Sequence, residues 1–355
     1  MTYTPRKRVL RALNHKESDR IPIHDNPWTS TIDRWKSEGL PSGISPADFF
    51  GFEMASFSPD TSPQFPVEII REDEEYIVER DSYGGIRKNH RDRSTTPEII
   101  DYPCKSKMDW EKLKLRLVAN DRRVDWVSTI NGFHYERSKC RFITYNAVVG
   151  YDKILRYVAS VPLMKAVILN PDWVIDMYWT DAKFVMAMYD RMASAGLNFD
   201  GAFLFCDLGY KNGLFFSPKR YEEQLHPVFK ELCRFFHARN MPVILHSCGQ
   251  VKELIPYFIE EGIDCLQPLE AKAGMDVVEL KEKYGNKIAF MGGIDVRLMA
   301  LDDPKPLEKE IKRKIEGAKE NGGYIYHSDH SVPKNVSFHN YQTVIKYVKK
   351  YGSYE

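Results

Sequence analysis

The stretch Pro242-Val243-Ile244-Leu245-His246-Ser247-Cys248-Gly249 indicates both how this chain folds and where its chemistry lies. Its apolar, partly β-branched residues predict a short buried strand, and Gln250-Val251-Lys252-Glu253-Leu254 begins a helix directly after it. In a parallel α/β protein the carboxyl end of a strand faces the ligand crevice, so His246 and Cys248 are expected there. An imidazole and a thiolate two residues apart can bind a soft metal such as zinc. The alternative, which is commoner for an isolated His-x-Cys pair, is a buried cysteine beside a hydrogen-bonded histidine.

An alternation of strands and helices runs through most of the chain. Six β/α units are predicted from residue 141 onward, with strands at 142–147, 201–207, 242–248, 264–269, 288–295 and 324–327. The helices that follow these strands are predicted at 172–195, from 217, and at 250–261, 276–284, 305–320 and 338–350. Near the N-terminus a helix at 5–15 precedes strands at 20–24 and 54–57. Eight such strands predict one α/β domain over residues 1–355, a (β/α)₈ TIM barrel, with a doubly wound open sheet as the alternative.

Residues 64–105 interrupt this alternation. Segments 67–71 and 76–80 alternate apolar and charged residues, and Tyr83-Gly84-Gly85-Ile86-Arg87 follows them. This pattern predicts a β-hairpin or three-stranded meander inserted into the barrel. The edge strands of such an insertion offer a surface for a homodimer, although the sequence leaves the oligomeric state open.

The composition is that of an ordinary globular protein. The chain has 355 residues, of which 43% are hydrophobic and 28% charged, and 51 basic residues balance 50 acidic ones to a net charge of +1. That balance gives no broad field for nucleic acid or an anionic membrane surface. The six cysteines are scattered, and no apolar run suits a membrane span or a signal peptide, so a cytoplasmic protein is expected.

Metal-competent side chains gather at the predicted strand ends, which a barrel brings together at one mouth. His330, on the loop after the last strand, is the candidate third ligand beside His246 and Cys248. His327 is the alternative, as a ligand or as a proton donor, and Glu270 is a candidate oxygen ligand when no substrate is bound. Three protein ligands with a fourth position open are the pattern of catalytic zinc.

Several motifs carry a family resemblance that extends from Arg11 to the final helix. They are Asp207-Leu208-Gly209 with Ser217-Pro218, Leu245-His246-Ser247-Cys248-Gly249, Met291-Gly292-Gly293-Ile294-Asp295, and Gly322-Gly323-Tyr324-Ile325-Tyr326-His327-Ser328-Asp329-His330. The sequence resembles the uroporphyrinogen decarboxylase superfamily, and within it the zinc-containing, corrinoid-dependent methyltransferases. The resemblance implies a (β/α)₈ barrel whose zinc is held by a His-x-Cys pair and a Cys in the last loop. The pair maps onto His246 and Cys248, whereas His330 occupies the position of the final Cys.

The ligand set favours one reaction class. Zinc with one thiolate and two neutral imidazoles keeps a formal charge of +1, which makes it a stronger Lewis acid than a two-thiolate site. Such a site suits stabilising the leaving oxygen of an ether, with Glu270 or His327 as the acid. The expected function is therefore methyl transfer between a small methylated substrate, with an aromatic methyl ether favoured, and the cobalt of a corrinoid (cobalamin) carried by a partner protein.

Further strand-end residues are candidate substrate contacts. Asn146 and Asp207 are expected to orient substrate or metal ligands, although Asp207 suits capping the loop before Ser217 equally well. Asp295 follows Gly292-Gly293, where the missing side chains allow either a ligand or a tight bend close to the backbone. Most aromatic residues in a domain of this size pack in the core. The candidate walls for a flat substrate are Trp28, Tyr145, Tyr210 and Phe215.

Three other functions are compatible with the fold. They are a methylcobamide:thiol methyltransferase, a metal-free lyase of the uroporphyrinogen decarboxylase type, and a non-enzymatic tetrapyrrole-binding module. The decarboxylase is disfavoured because the segment His24-Asp25-Asn26-Pro27-Trp28-Thr29-Ser30 contains no arginine. A substrate with eight carboxylates needs a cluster of cations. Asp60 matches that family's catalytic aspartate in place, but an Asp after Ser-Pro is more often a turn former.

Overall fold

The computed structural model describes residues 3–91 and 97–354. The α-helices in these ranges are α1 (Pro5–Leu13), α2 (Thr29–Ser37), α3 (Pro46–Phe50), α4 (Lys107–Lys114), α5 (Trp126–Ser138), α6 (Gly150–Leu155), α7 (Ser160–Leu169), α8 (Pro171–Ser194), α9 (Pro218–Gln224), α10 (His226–His237), α11 (Ile255–Glu261), α12 (Val277–Tyr284), α13 (Val296–Met299), α14 (Lys305–Lys319) and α15 (Phe338–Gly352). The strands are β1 (Met54–Phe57), β2 (Glu68–Glu72), β3 (Tyr76–Arg80), β4 (Ile86–His90), β5 (Glu98–Asp101), β6 (Phe142–Val148), β7 (Gly201–Phe205), β8 (Gly209–Tyr210), β9 (Gly213–Leu214), β10 (Val243–His246), β11 (Cys265–Gln267), β12 (Ala289–Met291) and β13 (Tyr324–Ile325).

Seven strands form one curled sheet in the order β1-β6-β7-β10-β11-β12-β13. Every neighbouring pair in it is parallel. Helices connect successive strands, as α11 connects β10 to β11 and α12 connects β11 to β12. The predicted α/β class with a parallel sheet is therefore confirmed.

The segment predicted as the first strand, residues 20–24, is not a strand. Its backbone nevertheless contacts both edge strands of the sheet: His24 N donates to Tyr326 O at 3.1 Å, and Glu53 N donates to Ile23 O at 2.9 Å. Ile23 forms a single parallel bridge with Tyr326. Pro22 has no N–H to donate, which prevents a regular ladder at this position.

The two faces of the strands pack into two separate apolar clusters. The inner cluster contains Ile244 of β10 and the apolar face of α1, which covers the amino ends of the strands. The outer cluster contains Val243 and Leu245, which face the surrounding helices. Residues two apart on a strand share a face, so His246 lies on the inner side at the carboxyl end of β10. Strand parity therefore directs polar side chains into the mouth of the sheet.

The insertion at 64–105 is a separate antiparallel sheet with the order β2-β3-β4-β5. It contains one strand more than the predicted meander, and its residues 92–96 lie outside the described ranges. Lys153 of α6 lies beneath the insertion, where its Nζ donates to Thr61 O and Thr61 Oγ1 at 2.7 Å and to the Tyr83 hydroxyl at 3.3 Å. Among the described helices, none has the length and apolarity needed to cross a membrane.

Candidate metal centre

A cavity of about 430 Å³ opens at the carboxyl ends of the parallel strands. Its wall is formed by His24, Asn26, Ser56, Asn146, Phe203, Phe205, Asp207, His246, Cys248, Gln267, Pro268, His327, His330 and Ser331. Four of these residues are the last inward-facing positions of their strands, namely Ser56, Phe205, His246 and Gln267. None of these fourteen lining residues is a lysine or an arginine.

Three candidate metal ligands converge in this cavity. One ligand atom each of Asp207, His246 and Cys248 lies within 4.8 Å of the other two. Cys248 Sγ is 3.4 Å from His246 Nε2, and Asp207 Oδ1 is 3.5 Å from the same nitrogen. The Cys248 backbone N–H also donates to Asp207 Oδ1 at 2.8 Å, which ties the loops after β7 and β10 together.

These two loops approach so closely because both contain glycine. Gly249 has a φ of +82°, and a Cβ there would lie 2.3 Å from the carbonyl carbon of Gly209. Gln250 N donates to Tyr210 O at 2.9 Å beside this contact. A side chain at position 249 would separate Cys248 from Asp207, so the glycine is a requirement of the site.

A chain of hydrogen bonds assigns the nitrogen that His246 offers. Ser328 O can only accept, so the Nδ1–H of His327 donates to it at 2.6 Å. A His327 ring with one proton then has Nε2 as an acceptor. Gln267 Nε2 donates to that nitrogen at 3.4 Å, which leaves Gln267 Oε1 to accept from His246 Nδ1. His246 Nε2 therefore has a free lone pair directed at Cys248 and Asp207. An outer partner on the other ring nitrogen is typical of a metal-binding histidine.

The electrostatics of the three groups suit a cation. Burial lowers the pKa of His246 to about 4, so its imidazole is neutral at pH 7. Burial also raises the pKa of the Cys248 thiol. It raises the pKa of the Asp207 carboxyl as well, although the hydrogen bond from Cys248 N acts in the opposite direction. A thiol and a carboxyl in contact ionise together only at a cost, which a bound divalent cation offsets.

The predicted third ligand, His330, lines the cavity but is not in this group of three. Its Nδ1 donates to Ser331 O at 3.2 Å, and its ring packs edge-on against Trp28 with 5.8 Å between centroids. Among the described residues, the group instead contains Asp207, for which the sequence left a ligand-orienting role and a capping role equally open. His330 is on a loop, where sequence spacing does not determine the direction of a side chain.

Glu270 and His327, the predicted acids, lie beside the ligands in different ways. Glu270 does not line the cavity: its Oε2 accepts from Gly249 N at 2.9 Å and its Oε1 pairs with Lys272 Nζ at 3.1 Å. It thus holds the loop that carries Cys248. His327 does line the cavity, but its Nε2 accepts from Gln267.

The predicted substrate contacts divide between the cavity and other places. Asn146 lines the cavity, whereas Tyr145 is fully buried on the opposite face of β6 and donates to Val185 O at 2.8 Å. Asp295 caps α13 and pairs with Arg297 at 2.6 Å. The other three, Trp28, Tyr210 and Phe215, are not among the lining residues. The sequence left two roles open for Gly292-Gly293, a close approach of a ligand or a tight bend. The structure shows the tight bend, because a Cβ on Gly292 would lie 2.1 Å from Pro268 O.

The aromatic wall of the cavity consists of Phe203 and Phe205, which the sequence interpretation missed. Their inward orientation follows from the alternation along β7, because Ala202 and Leu204 belong to the outer cluster. The Phe205 ring lies 4.3 Å from that of His246, centroid to centroid. His24 is a further lining residue that was not singled out, and burial with the neighbouring His327 lowers its pKa to about 3.

A family comparison matches this part of the chain. The model of the uroporphyrinogen decarboxylase (URO-D) family covers residues 165–351, which is more than half of the chain. The chain belongs to the URO-D family. The matched segment contains all the ligand candidates of this URO-D protein, and the predicted family resemblance is confirmed. The comparison with curated proteins finds no match.

Solved structures give a likeness of fold that extends beyond the matched segment. The URO-D protein is similar to a methyltransferase from Methanosarcina mazei, with a TM-score of 0.70 and 16% identity over 98% of this chain and 99% of that chain. It is far less similar to a protein from Listeria monocytogenes that is named as a vitamin-B12-independent methionine synthase. That match has a TM-score of 0.41 and 12% identity over 94% of this chain and 98% of that one.

Proposed function

We propose that this URO-D family member is a zinc-dependent methyltransferase that moves a methyl group between a small methylated compound and the cobalt of a corrinoid on a partner protein. The observation that carries the proposal is the convergence of His246, Cys248 and Asp207 in a cavity at the carboxyl ends of the strands. The likeness in fold to a methyltransferase along the whole chain supports this choice within the family. The corrinoid partner and the cytoplasmic location stay predictions.

The three donors suit zinc, which accepts nitrogen, sulfur and carboxylate oxygen at a four-coordinate site with one open position. Zinc bound there would supply a Lewis acid for a leaving or attacking oxygen or sulfur. His246 would bind through Nε2, because its Nδ1 donates to Gln267. Asp207 would bind through a carboxylate oxygen and Cys248 through Sγ, with the backbone contact between their loops holding both in place.

The rest of the cavity selects the substrate. Phe203 and Phe205 offer apolar aromatic faces beside the candidate ligands, and Asn146 offers an amide for one polar group. The inner apolar cluster lies beneath the cavity and excludes water from that side. These walls favour a flat, largely apolar compound, and an aromatic methyl ether is the proposed donor.

A second candidate follows from the ligand set. With Asp207 in the place assigned to His330, a bound zinc has a thiolate and a carboxylate and a formal charge of zero instead of +1. A neutral site is the weaker Lewis acid, which favours methyl transfer from the corrinoid to a thiol over cleavage of an ether. A thiol acceptor is therefore the alternative substrate class.

The cavity argues against decarboxylation of a porphyrinogen. Its fourteen lining residues contain no lysine or arginine to bind eight substrate carboxylates. Asp60 does not line it, since its Oδ1 accepts from Ser62 N at 2.8 Å, the hydrogen bond of a turn former. The metal-free lyase is disfavoured on these two observations.

The proposal includes a closed barrel. Segment 20–24 bonds to the edges of both β1 and β13, so we take it as the eighth position of a (β/α)₈ barrel. The chain 1–355 would then be one domain, with 64–105 as its insertion.

The ligand assignment is tested by the zinc content of protein purified without chelator. His246→Ala, Cys248→Ser and Asp207→Asn should each lose stoichiometric zinc, whereas His330→Ala should keep it. Methyl transfer from methoxybenzene to cob(I)alamin, followed by the loss of Co(I) absorbance, should fail in the same three variants. Zinc that persists in Asp207→Asn and is lost in His330→Ala would return His330 to the ligand set. Wild-type protein without affinity for zinc would refute the proposal.

A further inference from the structure

A second cavity adjoins the candidate metal centre. It has a volume of about 360 Å³ and shares two lining residues, Asn146 and Phe205, with the first cavity. Its other walls include Tyr83 of the insertion and Arg156, which follows α6. A ligand in the first cavity can therefore extend past Asn146 and Phe205 into the second.

Arg156 is the one arginine among the residues lining either cavity, and no lysine lines them. Its side chain is 43% exposed, so a ligand in the cavity can reach it. The nearest carboxylate oxygen, Asp152 Oδ2, lies 3.7 Å away, and the guanidinium lies 5.2 Å from the centroid of the Tyr83 ring. Neither contact uses all five N–H donors of the guanidinium.

The other charged groups near this cavity have partners of their own. Both oxygens of Asp60 accept hydrogen bonds, from Ser62 N at 2.8 Å and from Gln64 Nε2 at 3.0 Å. Lys153 is buried behind the wall, where its Nζ donates to Thr61. It adds a second positive charge to this side of the cavity without competing for a ligand.

We infer that Arg156 binds an anionic group of the substrate, namely a carboxylate, sulfonate or phosphate, while the methyl-bearing part occupies the first cavity. A planar guanidinium can hold such a group through two parallel hydrogen bonds. The first cavity has no lysine or arginine, so among the residues lining the two cavities Arg156 is the one guanidinium or ammonium group available to an anionic substituent. For the reaction that follows binding, the inference rests on the proposed function. It gives the inserted sheet a role, because Tyr83 places that sheet beside the substrate's charged end.

The test compares two probes that differ in charge but little in shape, 4-methoxybenzoate and 4-methoxybenzamide, by isothermal titration calorimetry. Arg156→Gln should weaken binding of the benzoate by roughly 10- to 100-fold, the usual effect of losing a hydrogen bond to a charged group. Binding of the neutral amide should change less than about twofold, since no charged hydrogen bond is lost. Arg156→Lys should retain part of the benzoate affinity, and Arg234→Gln, an exposed arginine on α10, serves as the matched control.

Inorganic phosphate distinguishes a free anion from a substrate tail. It should compete with 4-methoxybenzoate and leave 4-methoxybenzamide bound. Phosphate that binds wild type as tightly as the benzoate would overturn the inference, because the ring would then contribute nothing. Failure of the benzoate to bind wild type, or equal weakening of both probes in Arg156→Gln, would overturn it as well. These binding results do not depend on methyl transfer, so a selective loss of the benzoate would stand even if the zinc tests failed.

Discussion

Gln267 determines which nitrogen of His246 can bind a metal, because its amide oxygen accepts from Nδ1. Gln267→Met keeps the size of the side chain but removes this acceptor, which frees the imidazole to rotate or change tautomer. Zinc affinity should then fall by roughly 10- to 100-fold, the range found for outer partners of metal ligands. Competition with a chromophoric chelator measures the change.

Two further variants decide whether the hydrogen bond is the cause. Gln267→Glu keeps an acceptor oxygen and should retain most of the zinc affinity. Gln342→Met, an exposed glutamine on α15, makes the same chemical change away from the site and should have no effect. Unchanged affinity in Gln267→Met would mean that packing alone holds His246 in place.

The orientation of individual site residues can be predicted from the sequence where they lie on a strand, because side chains alternate between its two faces. Adjacent residues on a strand face opposite sides, so Tyr145 and Asn146 cannot both line the cavity. The same rule places Phe203 and Phe205 on one face of β7, opposite Ala202 and Leu204, but the structure is needed to show that this face is the inner one. It does not extend to loops, where the choice between Asp207 and His330 depends on backbone contacts distant in sequence.

Helix α8 carries a buried carboxyl that makes stability depend on pH. Asp181 is fully buried, and neither of its oxygens has a hydrogen-bond partner among the described residues. Burial raises its pKa from 3.8 to about 7, although the charges of Lys153 and Arg156 oppose the shift. An acid whose pKa is higher in the folded state contributes stability below its unfolded pKa. That contribution is lost as the pH rises from about 4 to about 7.

Asp181→Asn removes the ionisation while keeping the shape of the side chain. The free energy of unfolding should rise relative to wild type by up to about 4 kcal/mol at pH 8, with a much smaller gain at pH 5. Urea denaturation at a series of pH values measures this widening gap. Asp190→Asn, an exposed carboxylate on the same helix, should give a small difference that does not change with pH. A constant gap for Asp181→Asn would show that the carboxyl stays ionised.

The elements themselves were largely predictable, because apolar periodicity and capping residues mark them locally. The helix predicted at 172–195 is α8, and Ser217 caps α9 as expected, its side chain accepting from Arg220 N. Predicted strands extended too far, since the residues that follow β7 and β10 are apolar or small but turn into the site loops. Strand β5 was missed because its four residues, two of them acidic, give too short a pattern.

At the scale of the whole molecule, segment 20–24 hydrogen-bonds to residues at both edges of the parallel sheet. Buried Glu53, which precedes β1, accepts from Arg8 Nη1 of α1, from Arg20 Nη1 at 3.1 Å and from Ile23 N at 2.8 Å. One carboxylate thus connects helix α1, segment 20–24 and the start of the first strand of the parallel sheet. Sequence patterns did not reveal this network, because its members are separated by up to 45 residues and have no periodicity.

Glu53→Ala should therefore destabilise the protein far more than the loss of a surface ion pair would. It leaves the buried guanidinium of Arg8 without its partner Glu53, although Asp19 still accepts from Arg8 Nε at 2.8 Å. Breaking a buried pair in this way costs about 3–5 kcal/mol, whereas Asp33→Ala, which removes an exposed pair with Lys36, should cost less than about 1 kcal/mol. Urea denaturation followed by far-ultraviolet circular dichroism measures both variants. A loss in Glu53→Ala no larger than in Asp33→Ala would mean that the apolar contacts of α1 hold these elements together without this carboxylate.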